Sequence, residues 1–189
     1  MNLPHIIALC GNPGAGKSQF QSILMERYGV VAVNDGEPLR DFAVRWMKLQ
    51  PEDVYTQEGK ARHTHILDKT WQNRKILGDL GKALESTFGA DIMPFMATRA
   101  LETTRSYCFD GVRRGQGHFY RALGGVVIEV KRSSAGPSPY DFDQFDQTAV
   151  DLRVWNDGSI SDLEKAIERA LQFGVPQLVG ANRPIRTAA

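Results

Sequence analysis

Apolar and polar residues fall in blocks along this chain, and the blocks predict its elements. Residues 5–10 read HIIALC, a continuous apolar run bounded by turn formers, which fits a strand buried on both faces. Phe20, Ile23 and Leu24 then recur at helical spacing. Residues 30–33, VVAV, predict a second short strand that ends in Asn-Asp-Gly. Leu39, Phe42, Ala43, Trp46 and Met47 mark one face of a helix, with Arg40, Asp41, Arg45 and Lys48 toward its other side. Residues 50–69 are polar and show no clear period. The helical period returns from Thr70 through Ile76, Leu77, Leu80 and Leu84, and Gly89 stands where a helix end favours glycine. A further helix is expected over 92–103, a strand over 106–111, a short helix in GQGHFYRAL and a strand over 125–130. SSAGPSPYDFDQFDQ reads as a loop from its turn formers and acids, and VDLRVW alternates as a strand does. Ile160, Leu163, Ala166, Ile167, Ala170 and Leu171 form an amphipathic helix, for which Ser161 and Glu164 offer a capping box. Strands that alternate with helices predict an α/β fold, with a mostly parallel sheet covered on both faces.

Between the first strand and the first helix lies GNPGAGKS, in which Gly11, Gly16, Lys17 and Ser18 satisfy the phosphate-loop pattern G-x-x-x-x-G-K-[ST]. Glycines let the backbone curl so that several N–H groups point inward at phosphate oxygens. The helix that follows adds its positive end. Lys17 is of a length to reach the outer phosphates, and the Ser18 hydroxyl suits Mg²⁺. Gly14 adds freedom in mid-loop, and Pro13 limits the conformers. The candidate nucleotide-binding residues are Gly11, Asn12, Pro13, Gly14, Ala15, Gly16, Lys17, Ser18 and Gln19, and the expected ligands are ATP and Mg²⁺.

Composition narrows the class. The chain has 189 residues, 42% hydrophobic and 24% charged, enough for one well-packed domain and hardly for two. A net charge of +1 gives no field that calls for nucleic acid or an acidic membrane surface. No apolar run approaches the length of a membrane span. The two cysteines, Cys10 and Cys108, lie in or beside apolar runs; buried free thiols in a reducing cytoplasm are the expectation, and a disulfide between them is the open alternative. The guanine signature N-K-x-D of a GTPase is absent, and a motor or transporter ATPase needs a longer chain and further motifs. A small kinase remains. Its second substrate would carry a phosphate, which the planar fork of arginine matches. Candidates are Arg40, Arg45, Arg62, Arg74, Arg113, Arg114 and Arg121. Arg113 and Arg114 stand out because they follow a strand end, where ligands of open α/β sheets gather.

On these residues the chain resembles the deoxynucleoside monophosphate kinases of bacteriophages, a branch of the phosphate-loop kinases. EPLRD, NRKILGDLG, DGVRR, RALGGVVIEVKR and NDGSISDLEKAI follow one another as that family's segments do, over most of the chain. The resemblance implies a P-loop NTPase three-layer α/β/α sandwich with a mostly parallel five-stranded sheet in the adenylate-kinase-like order 2-3-1-4-5. One kinase domain is expected over residues 1–175 and a tail over 176–189; the polar segment at about 50–70 is the candidate for a mobile lid or acceptor-binding segment, because water must be kept from the ATP. The implied reaction is transfer of the ATP γ-phosphate to a small-molecule deoxynucleoside monophosphate in the cytoplasm, with a homodimer left open. Lys17, Arg74 and Arg113 would be catalytic. Asp35, Arg40, Arg74, Arg113 and Arg114 would bind the acceptor, and Ser18 and Asp110 the metal. Asn156, Asp157, Gly158 and Ser159 would lie near the ATP base. The chain departs from the family at Gly78, where glutamine is frequent, at Asp110-Gly111, where the order is shifted, and at Gln116, where an acid is common. The histidine-rich loop of some relatives is absent from 133–147. The alternatives are a P-loop kinase of a non-nucleotide metabolite and a nucleotide-binding switch or assembly ATPase.

Other features weigh less. His63, His65 and Asp68 read better as polar residues on a moving segment than as metal ligands. Trp46 reads as core, while Trp155 could stack a base. Asp35 could serve metal or sugar, or form a turn. Asp141, Asp143 and Asp146 read as a solvated loop, because they lack the glycine and closing glutamate of a calcium loop.

Overall fold

In the computed structural model, which describes residues 3–99 and 101–175, the chain divides into two compact units, Met1–Asn34 with Pro94–Ala189, and Asp35–Met93. The tail expected over 176–189 lies outside the described residues.

The first unit carries β1 (Ile6–Cys10), α1 (Lys17–Tyr28), β2 (Val31–Val33), β5 (Tyr107–Phe109), α7 (Gln116–Ala122), β6 (Val126–Lys131), β7 (Leu152–Trp155) and α8 (Ile160–Arg169). Its five strands form one parallel sheet in the order β2-β5-β1-β6-β7. β1 lies at the centre and is buried along its whole length, as its unbroken apolar run requires. Alternate residues of each strand face opposite sides. Ile7, Leu9, Ile128, Val130 and Val154 share one core with Phe20, Ile23 and Leu24 of α1 and Leu163 and Ile167 of α8. Ile6, Ala8, Cys10, Phe109 and Val127 share another with Tyr120 of α7 and Val112. The Tyr120 and Phe109 rings meet at 4.7 Å, within the range of favourable aromatic pairs. Cys10 and Cys108 are both free thiols and buried. Burial, with Glu129 adding to it, pushes Cys10 up to about 12, so it is an inert packing residue.

The second unit contains α2 (Glu37–Arg45), α3 (Pro51–Tyr55), α4 (Gln57–Ala61), β3 (His63–Ile66), β4 (Lys69–Gln72) and α5 (Asn73–Phe88), and the boundary to the first unit falls inside α6 (Ile92–Thr98). β3 and β4 pair as an antiparallel hairpin of their own. The small core is Ala43, Leu49, Val54 and Ile76.

The hairpin corrects the expected order 2-3-1-4-5. Its strands take third and fourth place along the chain, so the large sheet reads β2-β5-β1-β6-β7. Thr70 belongs to β4 rather than to the helix, which begins at Asn73. The helix expected over 92–103 stops at Thr98. The capping box of α8 is Ser159 with Asp162, not Ser161 with Glu164, because Ser159 is the last extended residue before the helix. Trp46 is 74% exposed rather than core, since α2 ends at Arg45 and buries only Ala43. Gly89 does follow the end of α5, with φ 98°. Among the described residues no helix is long and apolar enough to cross a membrane.

Candidate functional site

The loop between β1 and α1 leaves the sheet at the edge where β5 also ends, because Ala8 stands in register with Phe109. In open α/β sheets that carboxyl edge is where ligands bind. Two glycines of this loop adopt a positive φ at which a side chain is strained. Gly11 has φ 136°, and a Cβ there would lie 2.3 Å from the Val130 carbonyl oxygen. Gly16 has φ 99°, and a Cβ there would lie 2.1 Å from Asn156 Nδ2. The Ala15 N–H donates to the Asn12 carbonyl at 3.1 Å, which closes the curl. Gly16 caps α1 without a side-chain hydrogen bond, and the first turn of α1 holds no acid. The positive end of that helix is therefore left uncompensated by its own residues.

The Lys17 ammonium folds back over the loop and donates to the carbonyls of Gly11 at 2.7 Å and Asn12 at 3.1 Å. Burial lowers its pKa, and the Asp110 carboxylate pulls the other way. Ser18 Oγ donates to Asp110 Oδ2 at 3.3 Å, so the two residues expected to serve a metal stand side by side. An oxygen-only pair of hydroxyl and carboxylate is the donor chemistry of a hard cation such as Mg²⁺. Gln21, which the sequence did not single out, donates to the Cys108 carbonyl at 2.7 Å and ties α1 to β5.

Of the residues after β7, two brace loops and a third caps a helix. Asn156 is buried and donates to the Ala15 carbonyl at 2.9 Å, so it supports the loop that it meets at Gly16. Asp157 accepts from the Ser133 N–H at 2.6 Å and from its hydroxyl at 2.8 Å, and these bonds hold its carboxyl below the usual range. Ser159 is the N-cap of α8. Beside the loop a cavity of about 350 Å³ is lined by Asn12, Ala15, Glu129, Lys131, Ser133 and Trp155. The Lys131 ammonium lies 4.9 Å from the Trp155 ring centroid, and Trp155 is half-exposed. Asn12 Nδ2 donates to the Ala135 carbonyl at 3.1 Å.

Arg113 and Arg114 follow β5. The Arg113 N–H donates to Gln116 Oε1 at 3.1 Å, and its guanidinium lies 3.4 Å from Asp143. Arg114 has φ 45°, a left-handed conformation that side chains rarely adopt, and its carbonyl accepts from the Asp146 N–H at 2.7 Å. Glu129 is buried in β6 and accepts from Arg153 Nε at 2.9 Å. Asp143, expected in a solvated loop, instead has a largely buried side chain facing Arg113, and Glu129 was not marked by the sequence. Asp143 stands in a run of exposed-looking acids, and Glu129 interrupts an apolar strand. That interruption was the one available signal.

Asp35, Arg40 and Arg74 belong to the second unit. Asp35 is buried. Arg40 lies 3.4 Å from Glu37 and 5.3 Å from the Tyr55 ring centroid. Tyr55 donates to Glu37, and that bond raises its pKa. Arg74 donates to Gln57 Oε1 at 2.6 Å. Gly78 is buried in α5. His63 and His65 alternate on β3 and are exposed, so they share one face of the hairpin. Among the described residues no group of three potential metal ligands forms.

No protein-family profile matches the chain, and no curated protein matches it. Among solved structures it is similar to a gluconokinase from Sinorhizobium meliloti, at 14% identity and TM-score 0.45, covering 95% of this chain and 96% of that one. It is also similar to dephospho-CoA kinase from Campylobacter jejuni, at 12% identity and TM-score 0.47, covering 89% and 96%. A third is the APS kinase of Mycobacterium tuberculosis, at 14% identity and TM-score 0.38, covering 96% and 100%. Nothing about this chain's acceptor follows from these likenesses.

Proposed function

We propose that the chain is a P-loop kinase that transfers the γ-phosphoryl group of ATP to a deoxynucleoside monophosphate, releasing ADP and the diphosphate. The observation that carries the proposal is the cradle at the sheet edge. Two glycines are fixed there by contacts that a Cβ would violate, Lys17 is drawn over the loop, and Ser18 meets Asp110. The backbone of Gly11, Asn12, Pro13, Gly14, Ala15 and Gly16, with the start of α1 from Lys17 to Gln19, offers N–H groups to the triphosphate. The nearby cavity, with Trp155 beside it, is of a size for a base, in reach of the turn Asn156, Asp157, Gly158 and Ser159. Ser18 and Asp110 would hold Mg²⁺, which when bound neutralises charge on the phosphates.

An oxygen of the acceptor's phosphate attacks the γ-phosphorus, and the bond to the bridging oxygen of ADP breaks. The acceptor is already an anion, so no strong general base is needed. Lys17 and Arg113 neutralise charge that spreads over the transferring group. Asp35, Arg40, Arg74 and Arg114 are assigned to the acceptor, the arginines because a guanidinium fork fits phosphate oxygens. The segment at about 50–70 is assigned to excluding water during transfer. The choice of a deoxynucleoside monophosphate rests on the sequence resemblance.

A coupled assay of ADP release across a panel of nucleoside and deoxynucleoside monophosphates tests the proposal. ADP formed only with a deoxynucleotide acceptor supports it. ADP formed only with a non-nucleotide metabolite, or slow hydrolysis alone that a protein partner stimulates, overturns it.

A further inference from the structure

The loop before β7 carries a carboxylate that the reading above leaves without a task. The Asp143 side chain is 8% exposed, and its Oδ1 lies 3.4 Å from Arg113 Nη2. Its other oxygen accepts from Ser138 Oγ at 2.8 Å, and its N–H donates to the Tyr140 carbonyl at 3.2 Å. The same loop is stitched to the chain after Arg113: the Arg114 N–H donates to the Gln144 carbonyl, and the Asp146 N–H donates back to the Arg114 carbonyl. Gln116, itself buried, accepts from the Arg113 N–H. Both the backbone of Arg113 and the carboxylate that faces its guanidinium are thus held by named bonds.

We propose that Asp143 is a positioning residue, which orients the Arg113 guanidinium toward the phosphate cradle for phosphoryl transfer. This rests on the kinase reading. A long arginine side chain has many rotamers, and a fixed carboxylate at one end of its fork selects among them, so that the guanidinium is held in one orientation. The charges of Arg113 and Asp143 both act on Lys17, the first lowering and the second raising its pKa, so all three sit in one electrostatic neighbourhood. A buried carboxylate beside a site for triphosphate repels its ligand, and orienting the arginine is the gain that offsets this repulsion.

The test is a cycle of Asp143→Asn, Arg113→Ala and the double variant, with Asp143→Glu as the conservative variant. Asp143→Asn is expected to lower kcat about tenfold to a hundredfold, as misplacement of a charge-stabilising group does, with a much smaller change in KM for ATP. In the Arg113→Ala background the same change is expected to add nothing, and Asp143→Glu is expected to recover part of kcat. A merely structural loop would cost activity equally in both backgrounds, and that result overturns the proposal, as does an unchanged kcat in Asp143→Asn. The cycle is run in parallel on ATP hydrolysis, which needs no acceptor. Non-additivity in hydrolysis with no transfer to any monophosphate keeps Asp143 and discards the acceptor reading. A protein that neither transfers nor hydrolyses overturns both.

Discussion

In the sheet-bearing unit the largest fully buried side chains are aliphatic and aromatic, from Ile7 and Leu9 to Phe20, Phe109 and Tyr120, and the buried polar Gln116, Glu129 and Asn156 are few beside them. In Asp35–Met93 the buried apolar side chains are Ala43, Leu49, Val54, Ile76 and Met93, joined by the polar Asp35 and Asn73 and by Gly59, Gly78 and Gly81. Asn73 makes its hydrogen bonds in the interior: it accepts from Thr64 Oγ1 at 2.6 Å, donates from Nδ2 to the Gly59 carbonyl at 2.9 Å, and donates its N–H to the Arg62 carbonyl at 2.9 Å. One unit is held by apolar area, which stabilises without direction. The other leans on a directed polar junction, which joins the hairpin and two helices at one side chain. The first kind of scaffold suits a rigid phosphate cradle. The second suits a segment that opens locally, because breaking a few hydrogen bonds frees it.

The largest effects should separate scaffold from chemistry within the sheet-bearing unit. Phe20→Ala removes a fully buried ring from the core shared by α1 and the sheet and is expected to cost about 3–5 kcal/mol in urea unfolding. Lys17→Ala is expected to lower phosphoryl transfer about a hundredfold to a thousandfold, as removing one such electrostatic group does. Its unfolding midpoint should stay close to that of the parent protein, because the Lys17 ammonium bonds only two loop carbonyls and its burial is already costly. A Lys17→Ala protein with normal transfer would remove the cradle's assigned role.

The difference between the units also governs what could be read from the sequence. The cradle was legible because each of its requirements is local: glycines at the turning points, a lysine and a serine at the start of the helix, an apolar strand before them. The sheet was legible for the same reason, since runs such as HIIALC and GVVIEV have few other uses. The hairpin was not. Its turn is Leu67-Asp68, with Leu67 at φ 57° and 91% exposed, in place of the Asn-Gly or Asp-Gly that marks such a turn. Its strands alternate only weakly, and the residue that anchors it is the polar Asn73. Asp143 was hidden differently. Its neighbours in sequence are solvent-facing acids, and only the folding of the loop onto Arg113 and Arg114 distinguishes it. Asn156 was marked for the nucleotide base from the resemblance, and its bond to Ala15 adds a support of the loop that no spacing rule could reveal.

Asn73→Ala tests the polar junction. Leaving the Gly59 carbonyl and the Thr64 hydroxyl without this partner is expected to cost about 1–3 kcal/mol. The loss should appear in hydrogen exchange as faster opening of amides in α4, β3 and β4, with the amides of β1 and β6 unchanged. Uniformly faster exchange in both units would mean that the two scaffolds unfold as one, and the contrast drawn here would fall.

The smallest effect belongs to the cap of α8, back in the sheet-bearing unit. Asp162 accepts from the Ser159 hydroxyl at 2.7 Å and from its N–H at 3.0 Å, and these bonds depress its pKa. A depressed carboxyl stabilises the fold above the pKa of the unfolded chain, and that contribution is lost as the pH falls through the folded value. Ser159→Ala removes the hydroxyl and is expected to lower Tm by about 2–4 °C at neutral pH. The gap between parent and variant should narrow in acid, once Asp162 is protonated in both. Asp146 behaves alike elsewhere, held down to about 2 by Thr148 and then His118, so a residual acid limb from it should persist in the variant. Thermal scans from pH 7 to pH 2 read both effects. A gap that stays constant in acid would assign the loss to the helix cap alone and remove Asp162 from it.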